Sequence, residues 1–104
     1  MATTSPDRDH QPLRARELAN RVRSVRAQLK REVADGRLTV GAVIDRFPTE
    51  ASGMALGELL RSQSHWGPAR CSRLLTSVGV SEARALGALT DRQRKALVAR
   101  LGGS

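Results

Sequence analysis

The chain has 104 residues, enough for one small domain, and carries a formal net charge of +8 with 16 Arg against 2 Lys. One Phe, one Trp and no Tyr leave a core of aliphatic side chains, which favours helices over a sheet. The positive charge favours a polyanionic partner, nucleic acid first and an anionic membrane surface second. No apolar stretch is long enough to span a bilayer, and the first residues lack the apolar segment of a secretory signal.

The reactive residue types predict neither catalysis nor a metal site. Cys71 is the single cysteine, so no internal disulfide can form, and a reducing cytoplasm is the expected compartment. It lies on the apolar face of a predicted helix, which favours a small core residue over a redox-sensing thiol. His10 belongs to the predicted leader and has no partner nearby, so two histidines and one cysteine scattered in this way do not predict a metal site, and no cofactor is expected. No Gly-x-Ser-x-Gly motif or phosphate-binding loop is present, so we expect a non-enzymatic protein.

The N-terminal third predicts a polar leader followed by one long basic helix. Residues 1–12 have few apolar side chains, which is typical of a disordered leader. Residues 13–36 show helical spacing of apolar residues, and Gly36 stands where a C-terminal cap belongs. The apolar set is Leu18, Val22, Val25, Leu29 and Val33. The wide basic face beside this narrow stripe is either a solvated surface or a polyanion contact, and its excess of basic residues favours contact.

The next segment predicts two short helices. Thr39 is a candidate N-cap for a helix that extends to Phe47 and stops at Pro48. A polar connector then leads to a second apolar set at helical spacing over residues 54–62.

The C-terminal part predicts three more helices. Apolar spacing indicates one over residues 69–78, closed by a cap at Gly79. A short helix is expected over 82–86 and a last one over 91–101, with 102–104 as a flexible tail. The predicted N-terminal caps are Ser81 for the short helix and a capping box of Thr90 and Gln93 for the last one. The sequence therefore predicts an all-α protein with a small multi-helix domain over residues 37–101.

Residues 64–68 are interpreted as the turn of a helical hairpin, called the hairpin turn below. Gly67 is expected to allow the turn by adopting positive φ, and Pro68 suits the first position of the following helix. The free backbone N–H groups of that helix start can bind an anion, and phosphate is the expected anion for so basic a chain. Arg70 and Arg73 lie just behind the turn. We therefore expect the hairpin turn to contact a DNA backbone.

These residues together resemble the actinobacterial-type integration host factors. The resemblance is carried by Leu59, Leu60, Gly67, residues 71–75, Gly79, Val80, Leu86, Leu89 and residues 91–97. Members of that family are small nucleoid-associated proteins in which a long N-terminal helix precedes a helix-two-turns-helix domain, a fold similar to part of ribosomal protein S13. The resemblance covers about residues 16–101.

The resemblance implies sequence-tolerant binding of double-stranded DNA, with the hairpin turn and the next helix start on phosphates. By position, Gly67 is the family's turn glycine, and Pro68, Ala69 and Arg70 begin the phosphate-facing helix. The family's turn usually has Pro, Val and Lys where this chain has Ser64, Trp66 and Pro68. Its arginine cluster before the last helix is reduced here to Arg84. A diverged paralogue with altered affinity fits these departures.

The candidate DNA-contacting residues lie in the hairpin turn, on the helices around it and on the first helix. Trp66 is expected in the core, with stacking on a base or wedging into the minor groove as its alternative. His65 is expected to be a solvated turn residue, with phosphate contact as its alternative. The set is Ser64, His65, Trp66, Gly67, Pro68, Ala69, Arg70, Arg73, Arg84, Arg94 and Lys95, with Arg26, Lys30 and Arg31 as a second row.

The sequence thus predicts a monomeric, cytoplasmic, nucleoid-associated architectural protein that binds double-stranded DNA with little sequence preference. No helix shows the ordered row of Asn, Gln and Arg that reads base edges. Two binding surfaces on one monomer would allow it to bend or bridge duplexes. Two alternatives stay open. One is RNA binding, given the S13-like similarity, and the other is a protein-interaction module with an exposed apolar patch around Trp66.

Overall fold

A computed structural model describes the backbone of residues 6–101 and the side chains of residues 13–101. Five α-helices and two short 3-10 helices form this part of the chain, which contains no strand. The α-helices are α1 (Pro6–Ala34), α2 (Val40–Asp45), α3 (Leu56–Arg61), α4 (Pro68–Val78) and α5 (Asp91–Leu101), and the 3-10 helices are Thr49–Ala51 and Leu86–Ala88. The all-α prediction with a long N-terminal helix is confirmed. None of the described helices is both long and apolar enough to cross a membrane.

The long helix begins earlier than the sequence predicts. Residues 6–12, expected to belong to a disordered leader, are helical in the structure. Pro6 is compatible with this start because a proline in the first helical turn removes no helix hydrogen bond. The side chains of residues 13–21 are all exposed, so this part of α1 makes no contribution to the core. The rest of the predicted leader, residues 1–5, and the predicted tail, residues 102–104, lie outside the described residues.

The core is aliphatic and lies among α2, α3, α4, α5 and the C-terminal part of α1. Ile44, Leu56, Leu59, Leu60 and Leu97 are completely buried within it. α2 packs against α5, and α4 packs against both α3 and α5. The described part of the chain buries no polar or charged side chain, so removal of apolar surface from water is the main force that holds these helices together.

Several helix boundaries follow the predicted caps. The Thr39 hydroxyl oxygen accepts a hydrogen bond from the Ala42 N–H at 3.1 Å at the start of α2. Gly79 ends α4 in the left-handed conformation, with φ of 80°. Thr90 and Gln93 form the predicted capping box, with side-chain to backbone hydrogen bonds of 3.1 and 3.0 Å.

Two predicted helices are wrong in extent or existence. α2 ends at Asp45 rather than reaching Phe47, because the residue before Pro48 is disfavoured in helical conformation. The helix predicted over 82–86 does not form. Its backbone pairs instead with the segment before α3: the Leu56 N–H donates to the Arg84 carbonyl at 2.8 Å. This pairing continues along both segments and includes an isolated antiparallel bridge between residues 55 and 85.

Candidate nucleic-acid interface

The hairpin turn joins α3 to α4 and is fastened to the end of α1. The Ser64 hydroxyl donates a hydrogen bond to the Ala34 carbonyl at 2.9 Å. His65 is exposed and has a positive φ of 69°, whereas Gly67 has φ of −82° and is the N-cap of α4. The prediction that Gly67 supplies the positive φ is therefore wrong. The left-handed residue is two positions earlier, and histidine is among the residues that tolerate that conformation best.

The start of α4 is open to solvent. Pro68 occupies its first turn as predicted, and Gly67 contributes no side-chain cap. The first N–H groups of an α-helix have no acceptor within the helix, so those of Ala69 and Arg70 lie at the positive end of the helix dipole without an internal partner. A Cβ built on Gly67 would meet nothing within 4 Å, so the space beside this helix end is free. This geometry can accept an anionic oxygen.

Trp66 lies between the core and the solvent. The side chain packs against the core and lines a groove of about 260 Å³ together with Val33, Leu38 and Leu101. The Arg70 guanidinium carbon lies 4.1 Å from the centroid of the ring. Trp66 is half-buried and covered by this cation, so it does not form the exposed apolar patch of the protein-interaction alternative.

The structure separates the remaining candidates into two groups at opposite ends of α4. The turn group, at its start, comprises residues 64–68, Ala69, Arg70 and Arg73. The far group, on the segments that follow its end, comprises Arg84, Arg94 and Lys95. α4 has 11 residues, so about 16 Å separates its two ends. α5 then runs back towards the hairpin turn, because Leu101 lines the same groove as Trp66.

The basic side chains of these groups differ in whether they have a partner within the fold. Arg94 forms an ion pair with Asp91 at 2.5 Å, and surface pairs of this kind contribute little to stability. Arg73, Arg84 and Lys95 are exposed, and none of their side chains has a hydrogen bond or ion pair to another of the described residues. These three cations are available to a ligand without breaking an internal contact.

The predicted row on α1 is largely used within the fold. The Arg26 Nε donates to the Glu50 carbonyl at 3.2 Å, and the Lys30 ammonium lies 3.4 Å from the Glu58 carboxylate. These contacts attach α1 to the segments around α3. The third member of the row, Arg31, donates to the Gln28 side chain at 2.6 Å. Four exposed arginines lie nearer the N-terminus of α1, at positions Arg14, Arg16, Arg21 and Arg23.

Two arginines of interest were not among the predicted contacts. Arg92 and Arg100 line a groove of about 640 Å³ between α5 and the C-terminal end of α4. Arg100 donates to the Ser77 hydroxyl at 2.8 Å, which fixes its position against α4. The signal was present in the sequence: Arg92, Ala96 and Arg100 are spaced by four, which places two cations on one helix face with a small residue between them. This groove adds two cations to the far group.

Cys71 is a core residue. It is 2 % exposed, and burial raises the pKa of its thiol above the ordinary value of 9.0, although the nearby Arg61 opposes the shift. A reactive thiol needs a lowered pKa and access to solvent, so this geometry favours the structural interpretation. Within the described residues, no three His, Cys, Asp or Glu side chains are grouped as metal ligands would be.

No protein-family model and no curated protein matches the chain. Among solved structures, the fold is similar to that of sIHF in a complex with an 8-base-pair palindromic DNA. The TM-score is 0.74 with 25% sequence identity, and the likeness covers 83% of this chain and 99% of the sIHF chain. The chain therefore has an integration host factor-like fold of the sIHF type.

Proposed function

We propose that this chain is a non-enzymatic architectural protein that binds double-stranded DNA through its phosphate backbone, in the cytoplasm and in association with the nucleoid. The observation that carries the proposal is the likeness to a DNA-bound sIHF over 83% of the chain. The net charge of +8 supports it, because a surplus of arginine favours association with a polyanion.

The turn group is the proposed primary phosphate contact. The open start of α4 offers backbone N–H donors, and Arg70 and Arg73 add charged donors one turn apart on the same helix. The far group, about 16 Å away along α4, adds Arg84 and Lys95. The DNA major groove is about 12 Å wide, so two cationic groups at this separation suit phosphates on either side of a groove. One duplex can then contact both groups.

The same surfaces offer little with which to read a sequence. Their exposed polar side chains are arginines, Lys95, Ser64 and His65, which suit phosphate oxygens and carry no ordered set of base-edge contacts. We therefore propose that affinity varies little among duplexes of unrelated sequence.

The exposed part of α1 is proposed as a second DNA surface. Residues 13–23 carry four arginines and one glutamate, all exposed. If this helix holds a second duplex, one monomer bridges two DNA segments. Reversal of Arg16 and Arg21 to glutamate should then reduce DNA compaction while binding of a single short duplex persists through the turn group. Unchanged compaction in this variant would exclude the bridging role.

The first experiment is a titration of the full chain with several short duplexes of unrelated sequence across a range of salt concentrations. Each phosphate contacted should contribute about −0.9 to the slope of log affinity against log salt, so five contacts predict a slope of about −4.5. Similar affinities with a steep slope support the proposal. Absence of binding to any duplex at low salt contradicts it.

A charge-matched pair of variants localises the contact. R70E/R73E should weaken duplex binding far more than R46E/R37E, which makes the same charge change at exposed arginines outside the two groups. Equal losses in both double variants would mean that net charge alone drives binding.

Competition by structured RNA tests the remaining alternative. If structured RNA displaces the duplex when the two are present at equal concentration, RNA is the preferred ligand and the DNA-binding proposal fails.

A further inference from the structure

We propose that Trp66 is a positioning residue for Arg70. The indole face holds the guanidinium against the hairpin turn, so that this cation is already ordered when a DNA phosphate arrives. The inference rests on the proposed DNA binding and goes beyond it by assigning Trp66 a role that is neither core filling alone nor base contact. It starts from the distance of 4.1 Å between the Arg70 guanidinium carbon and the ring centroid.

The backbone brings the two side chains together. Arg70 is the third residue of α4, and side chains on a helix lean towards its N-terminus. Its guanidinium therefore folds back over the hairpin turn, where Trp66 lies four positions earlier. The ring is held in place because the Trp66 side chain packs against the core, and the turn is fastened by the Ser64 to Ala34 hydrogen bond. The platform under Arg70 is thus rigid.

Stacking leaves the binding chemistry of Arg70 intact. A guanidinium that lies over an aromatic ring uses its flat face, while its N–H donors stay in the plane of the group. Two of them can then bind one phosphate in a bidentate manner. Arg70 is exposed and forms no ion pair with any acidic side chain of the described residues. No internal carboxylate therefore competes with a phosphate for these donors.

Arg73 provides the internal comparison. It lies one turn further along α4, is also exposed and has no aromatic partner among the described residues. A free arginine loses rotamer freedom when it binds a phosphate, whereas a stacked one has lost much of it already. The two arginines should therefore differ in what their removal costs, although their charge is identical.

The test is a double-mutant cycle on duplex affinity with the full chain. W66L should weaken binding by about two- to tenfold, because Arg70 would then lose its side-chain freedom only on binding DNA. In the R70Q background, W66L should have no further effect, because the residue that it positions is gone. In the R73Q background, W66L should cost the same factor as in the unmodified chain. A cost of W66L that is equal in the R70Q and R73Q backgrounds overturns the inference.

Two further measurements use variants that retain Trp66, so they test the inference even if W66L lowers the stability of the fold. R70Q should weaken duplex binding more than R73Q, and in the absence of DNA only R70Q should change the emission of Trp66, the single tryptophan. Equal affinities, or an emission that R70Q leaves unchanged, contradicts the positioning role. The affinity of the unmodified chain separates the two proposals: if it binds duplexes and the cycle is additive, the inference fails while the DNA-binding function stands.

Discussion

At the level of single residues, the arginines whose side chains the structure describes are of two kinds. Some have a polar partner within the fold, as Arg26 has in the Glu50 carbonyl. Others, such as Arg16 and Arg73, are exposed, and their side chains have no hydrogen bond or ion pair among the described residues. Only the second kind is available for a polyanion at no structural cost, and the sequence does not distinguish them, because the partner of Arg26 is 24 residues away.

Replacement of these arginines should separate structural from surface roles. R26A is expected to lower the free energy of unfolding by about 1–2 kcal/mol, because it leaves a half-buried carbonyl without its charged donor. R16A removes the same charge from an exposed position of α1 and should change stability by less than about 0.5 kcal/mol. Urea unfolding of both variants measures the difference, and equal stabilities would contradict a structural role for Arg26.

The buried thiol predicts a pH dependence of stability. Because burial raises the pKa of Cys71, the unfolded chain releases this proton before the folded chain does as the pH rises. The contribution is fully present below the ordinary pKa of 9.0 and is lost as the pH rises through the raised folded value. The free energy of unfolding, measured below and above this pH, should fall less steeply in C71A than in the unmodified chain. Identical slopes would mean that the thiol is not desolvated.

At the level of elements, only one of the two glycines that flank α4 is required by its backbone conformation. Gly79 has φ of 80°, a conformation that side chains rarely adopt, whereas Gly67 has φ of −82° and open space around it. G79A should therefore lower the free energy of unfolding by about 1 kcal/mol or more. G67A should leave stability unchanged or raise it by about 0.5 kcal/mol, since it restricts only the unfolded chain. Thermal unfolding of both variants measures the difference. A destabilisation by G67A as large as that by G79A would show that position 67 also requires glycine.

The segment after α4 shows how pairing overrides local helix signals. Residues 82–86 follow a good N-cap in Ser81, whose hydroxyl does accept a hydrogen bond from the Ala83 N–H at 3.2 Å. The predicted helix nevertheless does not form, because backbone groups of this segment form hydrogen bonds with the segment that leads into α3. A short helix gains little from its own hydrogen bonds, so a tertiary partner decides its conformation.

At the level of the whole molecule, the chain combines a small core with a helix that extends beyond it. α1 has 29 residues, about 44 Å in length, and the described structure measures 60 Å along its longest axis. The side chains of residues 13–21 are exposed, including Leu13 and Leu18, each more than half exposed. The N-terminal part of α1 therefore contributes little to the packing of the domain.

Deletion of residues 1–17 tests this separation. The remaining chain should unfold with a free energy within about 0.5 kcal/mol of the full chain, because the deletion removes no buried side chain of the described residues. As a matched control, deletion of residues 1–29 also removes the Leu29 contact with the core and the Arg26 hydrogen bond, and should cost several kcal/mol, of order 2–5. A large loss in the shorter deletion would show that the exposed part of α1 contributes to folding.

The sequence by itself determined the all-α class, the long basic helix, most helix boundaries and the location of the hairpin turn. These features depend on short-range physics: apolar spacing, the Thr90 and Gln93 capping box, the Gly79 cap and the lack of an N–H in Pro68 act within a few residues of where they stand. The preference for a polyanion also follows from composition, because net charge does not depend on the fold.

Only the tertiary structure decided which cations are free, which residue carries the positive φ, and what Trp66 contacts. Arg26 and Lys30 are engaged by carbonyl and carboxylate groups from other segments, and these contacts could not be predicted from the spacing of residues in α1. The far group and the turn group became separate because α4 stands between them. Trp66 lies against Arg70 and also packs against the core, and the core contact comes from side chains distant in sequence. Such contacts depend on packing between segments that are distant in sequence, so the local spacing of residues does not predict them.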